Sequence, residues 1–141
     1  MNPIVAENLR AGTDSWQLSR PATAREIEGY ASATSVNRGD AINLYVNTRS
    51  PTFSLEVFRM GWYQGLGARR VIGPVVINGT RQVMSILDAE TGLVDCAWTK
   101  PYILTTHNPD DAADWVSGVY LAKLTANDSG TQSYIIFVVR D

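Results

Sequence analysis

Alternation of apolar and polar positions with a period of two recurs along most of this chain, and that period predicts strands. Ala41 to Asn47 sets Ile42, Leu44 and Val46 on one face against Asn43, Tyr45 and Asn47 on the other. Thr52 to Met60 repeats the pattern, with Phe53, Leu55 and Val57 against Ser54, Glu56 and Phe58. No proline interrupts that run, so a central strand is expected there. The runs Val119 to Leu124 and Tyr134 to Val139 flank the polar turn Ala126-Asn127-Asp128-Ser129-Gly130 and read as a hairpin. Their apolar positions are too continuous for strands with one wet face, which places this pair deep between two layers.

The remaining segments are punctuated by turn formers. Ile27 to Val36 is β-compatible and ends at Asn37-Arg38-Gly39-Asp40, after which a hairpin is expected. Gly61-Trp62-Tyr63-Gln64-Gly65-Leu66-Gly67 is a glycine-punctuated loop. Ala68 to Ile77 returns to a strand with a bulge or break at Gly73-Pro74, and Asn78-Gly79 reads as a hairpin turn. Arg81 to Glu90 fits no one period. Gly92 to Thr99 alternates, and Tyr102-Ile103-Leu104 extends it past Pro101. Residues 1–26 hold no sustained period and read as an irregular arm with one short edge strand around Trp16 and Leu18. No ten-residue window carries a helical stripe. The expectation is therefore a single all-β domain, an antiparallel β-sandwich of about eight or nine strands over residues 27–141, preceded by the arm.

A chain of 141 residues can bury roughly two-thirds of its unfolded surface without metal or disulfide. With 45% hydrophobic and 18% charged residues and a net charge of −2, neither disorder nor a nucleic-acid partner is expected. No apolar run reaches membrane-spanning length and the start lacks the pattern of a signal peptide, so no membrane partner is expected. The single cysteine, Cys96, lies in an alternating run that suits a buried thiol and fits a reducing, cytoplasmic compartment.

The entrance to the final hairpin, Asp114-Trp115-Val116-Ser117-Gly118-Val119-Tyr120-Leu121-Ala122, resembles the Gly-x-Tyr that builds a tyrosine corner in immunoglobulin-like sandwiches, with Ala122 where those domains often place a cysteine. Further blocks carry a second resemblance. They are Glu26 to Ser32, Ser35 to Asp40, Leu55-Glu56-Val57-Phe58-Arg59-Met60-Gly61-Trp62-Tyr63, Gly67 to Val71 and Ser117 to Leu124. Together they resemble the N-terminal β-sandwich segment of bacterial proteins related to the large subunit of N,N-dimethylformamidase. The resemblance implies a larger parent protein whose enzymatic part, an iron-dependent amidohydrolase in the characterised enzyme, lies downstream of this segment. It carries no catalytic residue to any position here.

Candidate chemistry is sparse. His107 is the only histidine and no motif pairs it with Cys96, so neither a nucleophilic site nor zinc is expected. Asp110, Asp111 and Asp114 offer a loop of carboxylates to calcium, but without the ligand alternation of an EF-hand a solvated loop is the plainer expectation. Gly65 to Arg70 lacks the residues of a phosphate loop, and its two arginines are expected to bracket a sandwich edge. Arg38-Gly39-Asp40 matches an integrin-read tripeptide yet reads as a turn feeding a strand.

The adjacent aromatics Trp62 and Tyr63, with Arg59 and Arg69 nearby, form the one surface worth weighing. Docking onto a neighbouring domain, or plugging the sandwich end, is preferred to stacking on a sugar. The resulting expectation is a non-catalytic accessory domain without cofactor or metal. Its partner would be the downstream domain of its own parent protein or a partner subunit, with a carbohydrate-binding module as the alternative and an independent hydrolase last.

Overall fold

The computed structural model describes residues 2–82, 86–87, 94–95, 98–111 and 113–140. Eight strands form two sheets packed face to face. The smaller is antiparallel, in the order β1 (Ile27–Ala31), β3 (Ala41–Thr48), β8 (Tyr102–Thr105). The larger has the order β2 (Ser35–Asn37), β10 (Gln132–Arg140), β9 (Gly118–Ala126), β4 (Thr52–Met60), β5 (Ala68–Asn78), and only its β2–β10 pair is parallel. The short strands β6 (Ile86–Leu87) and β7 (Val94–Asp95) pair with each other alone. The all-β sandwich is the expected architecture.

The core is built from the inward halves of the alternating strands. Ile42, Leu44 and Val46 of β3 lie opposite Leu55 and Val57 of β4, Tyr120, Ala122 and Leu124 of β9, and Ile135, Phe137 and Val139 of β10, all buried in one cluster. Burying a Val, Leu, Ile or Phe side chain is worth about 1.5–3 kcal/mol, so this cluster is the main source of stability. The tyrosine corner is present: the Tyr120 hydroxyl donates to the Val116 carbonyl at 2.6 Å, and the ring stacks between Trp115 and Phe137.

Several expectations change. The run from Ile27 to Val36 is two strands in different sheets, joined by a bend at residues 32–34. Period-two patterning cannot distinguish a strand that continues from one that crosses to the other layer, because both keep alternate residues inward. For the same reason the turn at residues 37–40 forms, with Asp40 N donating to Asn37 O, but it links β2 to a strand of the other sheet and closes no hairpin. Asn78-Gly79 closes none either. Gly79 N donates to Pro51 O and Thr48 N to Thr80 O, and a Cβ on Gly79 would lie 1.9 Å from the Ser50 carbonyl oxygen, so this glycine permits a close backbone crossing rather than a turn.

The β10 strand has a wet face after all, since Ile136 is 62% exposed. β9 is covered on both sides, and the second cover is the N-terminal arm. That arm is not an edge strand: it begins with α1 (Pro3–Asn8), and its sheet contacts are isolated bridges at Thr13 to Ala68 and Pro21 to Gln132. Between those bridges it crosses the outer face of the larger sheet. Lys123 Nζ donates to Ser15 O and Gln17 O, the Tyr134 hydroxyl to Trp16 O, and Gln132 Oε1 accepts from Ser19 N and Arg20 N. Half of the expected strand Gly92 to Thr99, including Cys96, lies outside the described residues.

Candidate functional site

The Trp62–Tyr63 loop sits where β4 gives way to β5. Phe58 and Arg59 are both buried at the end of β4, beside a shift in its register with β5. The chain then reverses through a short 3-10 turn, Tyr63–Gly65, in which Tyr63, Gln64 and Gly65 have φ of 40°, 59° and 88°. Gly61 N donates to Gly67 O and closes the loop. This left-handed reversal sends the two aromatic neighbours in opposite directions. Tyr63 is fully buried, while Trp62 is 69% exposed. The pair forms no joint platform: Tyr63 plugs the sandwich end and Trp62 alone faces solvent.

Behind Tyr63 runs a continuous polar chain. Arg59 Nη1 donates to the Tyr63 hydroxyl at 3.1 Å, and that hydroxyl donates to Glu7 Oε1 at 2.8 Å. Arg69 bridges onward, from Nε to Glu7 Oε1 at 2.6 Å and from Nη2 to Asp114 Oδ1 at 2.8 Å. Arg10 adds Nη1 to Asp114 Oδ1 at 2.9 Å and Nη2 to Asp111 Oδ2 at 2.8 Å. Asn108 Nδ2 fills Asp114 Oδ2, and Arg59 also donates to the Val116 and Ser117 carbonyls.

Titration follows from this environment. Burial pushes the Tyr63 phenol up to about 12 against the pull of Arg59, with the hydrogen bond to Glu7 adding to the rise. Burial pulls the Arg69 guanidinium down, and its bonds to Glu7 and Asp114 more than offset that, leaving it above its ordinary value. The Arg10 hydrogen bond, followed by that from Ala113 N, holds Asp111 below the usual carboxylate range. Each group is locked in one protonation state at neutral pH. Among the described residues of this cluster no base is poised beside a nucleophile, and each carboxylate is engaged by arginine.

Of the expected surface residues, Arg59, Tyr63 and Arg69 do come together, but inside. Glu7, Arg10 and Asp114 complete the cluster and were not expected there. The signal for the first two was Asn2-Pro3, an N-cap followed by proline at the first helical position, with Glu7 and Arg10 three apart beyond it. Of the three aspartates weighed for calcium, Asp111 and Asp114 are engaged by Arg10 and Arg69. Among the described residues no group of three His, Cys, Asp or Glu side chains is placed to hold a metal ion, and the arginine-ringed cluster does not fit the iron that the resemblance assigns to the enzymatic part. Arg70, on edge strand β5, turns outward to Glu56 of β4, whereas Arg69 turns inward, so only one of the two arginines expected to bracket the edge does so. Arg38 and Gly39 serve the fold, donating to Asp114 O and to Thr106, and His107 lies in an exposed loop.

α1 is tied to this end by Asn8 Oδ1, which accepts from Trp62 N at 3.1 Å. Ile4, Val5 and Leu9 of the helical segment and Leu66 of the loop are exposed apolar residues like Trp62. A cavity of about 610 Å³ opens on the other side of α1, between Ala6, Arg10, Arg38 and Asp111. No helix among the described residues is long and apolar enough to cross a membrane.

Comparison with known families gives one match, to the family described as N,N-dimethylformamidase beta subunit-like, C-terminal, over residues 54–141. That description places the segment in the C-terminal part of such proteins, whereas the resemblance read from the sequence placed it ahead of the enzymatic part. No curated protein matches the chain. Among solved structures, the Pseudomonas fluorescens alkylpurine DNA glycosylase AlkC, bound to DNA containing an abasic site analog, is similar at 12% identity and a TM-score of 0.42. The match covers 82% of this chain and 31% of that one, and a likeness this loose carries no statement about function.

Proposed function

The chain belongs to the N,N-dimethylformamidase beta subunit-like family, and from that membership we propose that it is a non-catalytic accessory domain packed against the catalytic part of a larger protein of that family. The observation that carries this reading is the set of exposed apolar residues at this end, Trp62 and Leu66 of the loop with Ile4, Val5 and Leu9 of the helical segment that Asn8 ties to it, above the ionic network. Large exposed apolar groups grouped on one end are typical of interaction surfaces, and tryptophan is the residue most enriched among their energetic anchors. The network beneath makes the surface rigid, since α1 is held by Glu7, Asn8 and Arg10 at once. A rigid anchor loses little side-chain entropy on binding. The buried groups are all engaged with one another, which leaves them no evident chemistry of their own.

The experiment is association of the isolated chain with the remainder of a dimethylformamidase beta subunit-like polypeptide, followed by Trp62 fluorescence. Binding that buries the indole and is weakened at least tenfold, about 1.4 kcal/mol, by Trp62→Ala is expected. A glycan array on the isolated chain tests the alternative, for which a single exposed indole is the only support. Saturable glycan binding that depends on Trp62, without association, overturns the docking reading.

A further inference from the structure

The opposite end of the sandwich holds a second cleft, of about 490 Å³, within the rough 300–1,000 Å³ span of small-molecule sites. It lies where the start of β1 and the end of β3 meet the segments that follow β3, β5 and β9, and its rim carries Arg25, Glu26, Glu28, Arg49, Arg81 and Asp128. Ala24 is the one apolar residue type on its lining, although the stems of the longer side chains make much of the exposed surface apolar. Arg25, held at φ 59°, pairs with Glu28 at 2.8 Å, which removes one charge of each sign. The others stay uncommitted. Arg49 and Arg81 are exposed and have no hydrogen-bond or ion-pair partner among the described residues. Among the described residues Asp128 accepts only from Ser129 N. Glu26 accepts from Ala24 N through Oε1, while its Oε2 is buried without a partner.

We infer that this cleft binds a small zwitterionic molecule of the amino-acid or short-peptide class, its carboxylate between Arg49 and Arg81 and its ammonium toward Glu26 and Asp128. A purely anionic ligand would face two carboxylates, and a purely cationic one two guanidinium groups, each at a repulsive cost. A ligand with separated opposite charges meets both halves. An apolar ligand would strand the polar lining unpaired. Guanidinium suits a carboxylate because its fork can donate two parallel hydrogen bonds. The inference is independent of the docking reading, since the two surfaces lie at opposite ends.

The test is a two-dimensional NMR titration of the full chain with glycine and glycylglycine, using acetate, methylammonium and glucose as controls. Saturable shifts at Asn47, Ser50 and Ser129 are expected with the zwitterions. The two single-charge controls should bind at least tenfold more weakly, and glucose not at all. Arg49→Gln and Arg81→Gln should each weaken zwitterion binding at least tenfold, as should Asp128→Asn, and all three change exposed residues, so the fold is retained. No saturable shift, equal binding of acetate or glucose, or unchanged affinity in these variants would overturn the inference.

Discussion

At the Trp62 end of the sandwich, Arg10, Arg59 and Arg69 are woven with Glu7, Asp111 and Asp114 into hydrogen bonds of 2.6–3.1 Å, and Tyr63 is enclosed with them. At the Arg49 end, arginines and carboxylates are just as concentrated, yet Arg49, Arg81 and one oxygen of Glu26 find no partner among the described residues. The difference lies in what covers each end. The N-terminal arm brings α1 over the first and supplies Glu7 and Arg10, so the charges there complete one another. The arm also reaches the second end, with Ala24, Arg25 and Glu26, but Arg25 pairs with Glu28 and nothing among the arm's described residues pairs with Arg49 or Arg81. Similar residue types therefore build a structural clamp in one place and an open polar cleft in the other.

The largest contrast to test is removal of one charge from each end. Glu7→Gln leaves Arg69 and Tyr63 with a buried donor mismatch and is expected to cost about 3–5 kcal/mol in urea denaturation. Arg49→Gln should change stability by no more than about 0.5 kcal/mol. Equal costs would erase the distinction between clamp and cleft.

Alkaline pH probes the same clamp. An unfolded tyrosine loses its proton near pH ~10, whereas Tyr63 holds its proton to about 12, and burial raises Tyr120 further. Between those values the folded state binds more protons than the unfolded one, so stability falls as pH rises, by up to about 1.4 kcal/mol per pH unit for each tyrosine. Denaturation midpoints measured from pH 8 to 12 should hold steady and then drop past pH 10. Tyr63→Phe should soften the drop.

The tyrosine corner and Tyr63 also show how far the sequence could be read. Period-two alternation located β3 and β4 nearly to the residue, because each has one face in a single core, and continuous apolar runs located β9 and β10 to within about two residues. The Gly-x-Tyr spacing fixed the corner because that hydrogen bond is local, from Tyr120 to Val116. Sheet membership was not legible, since β1 and β2 look like one strand until the partner of Val36 is known. Nor was the clamp, whose contacts join residues as distant as Arg10 and Asp114 and depend on the path of an arm that has no period. The Trp62–Tyr63 pair stood out in the sequence, but only the left-handed turn decides that one ring goes in and the other out. Tyr120→Phe is the smaller test of the local feature: loss of one buried hydrogen bond should cost about 0.5–1.5 kcal/mol by thermal unfolding.

The smallest stability effect belongs to Trp62. Read as a plug it would have cost several kcal/mol on truncation, but at 69% exposure Trp62→Ala should fall within about 0.5 kcal/mol of the parent. That near-neutrality lets its role in binding be measured without unfolding the chain.

The most direct measurement is therefore an NMR perturbation map of the chain as the remainder of a dimethylformamidase beta subunit-like polypeptide is added. Docking through the clamped end predicts shifts or broadening at Leu9, Trp62 and Leu66, with Asn47, Ser50 and Ser129 unmoved and the whole response lost in Trp62→Ala. Perturbation centred on the Arg49 end, or undiminished in Trp62→Ala, would contradict it.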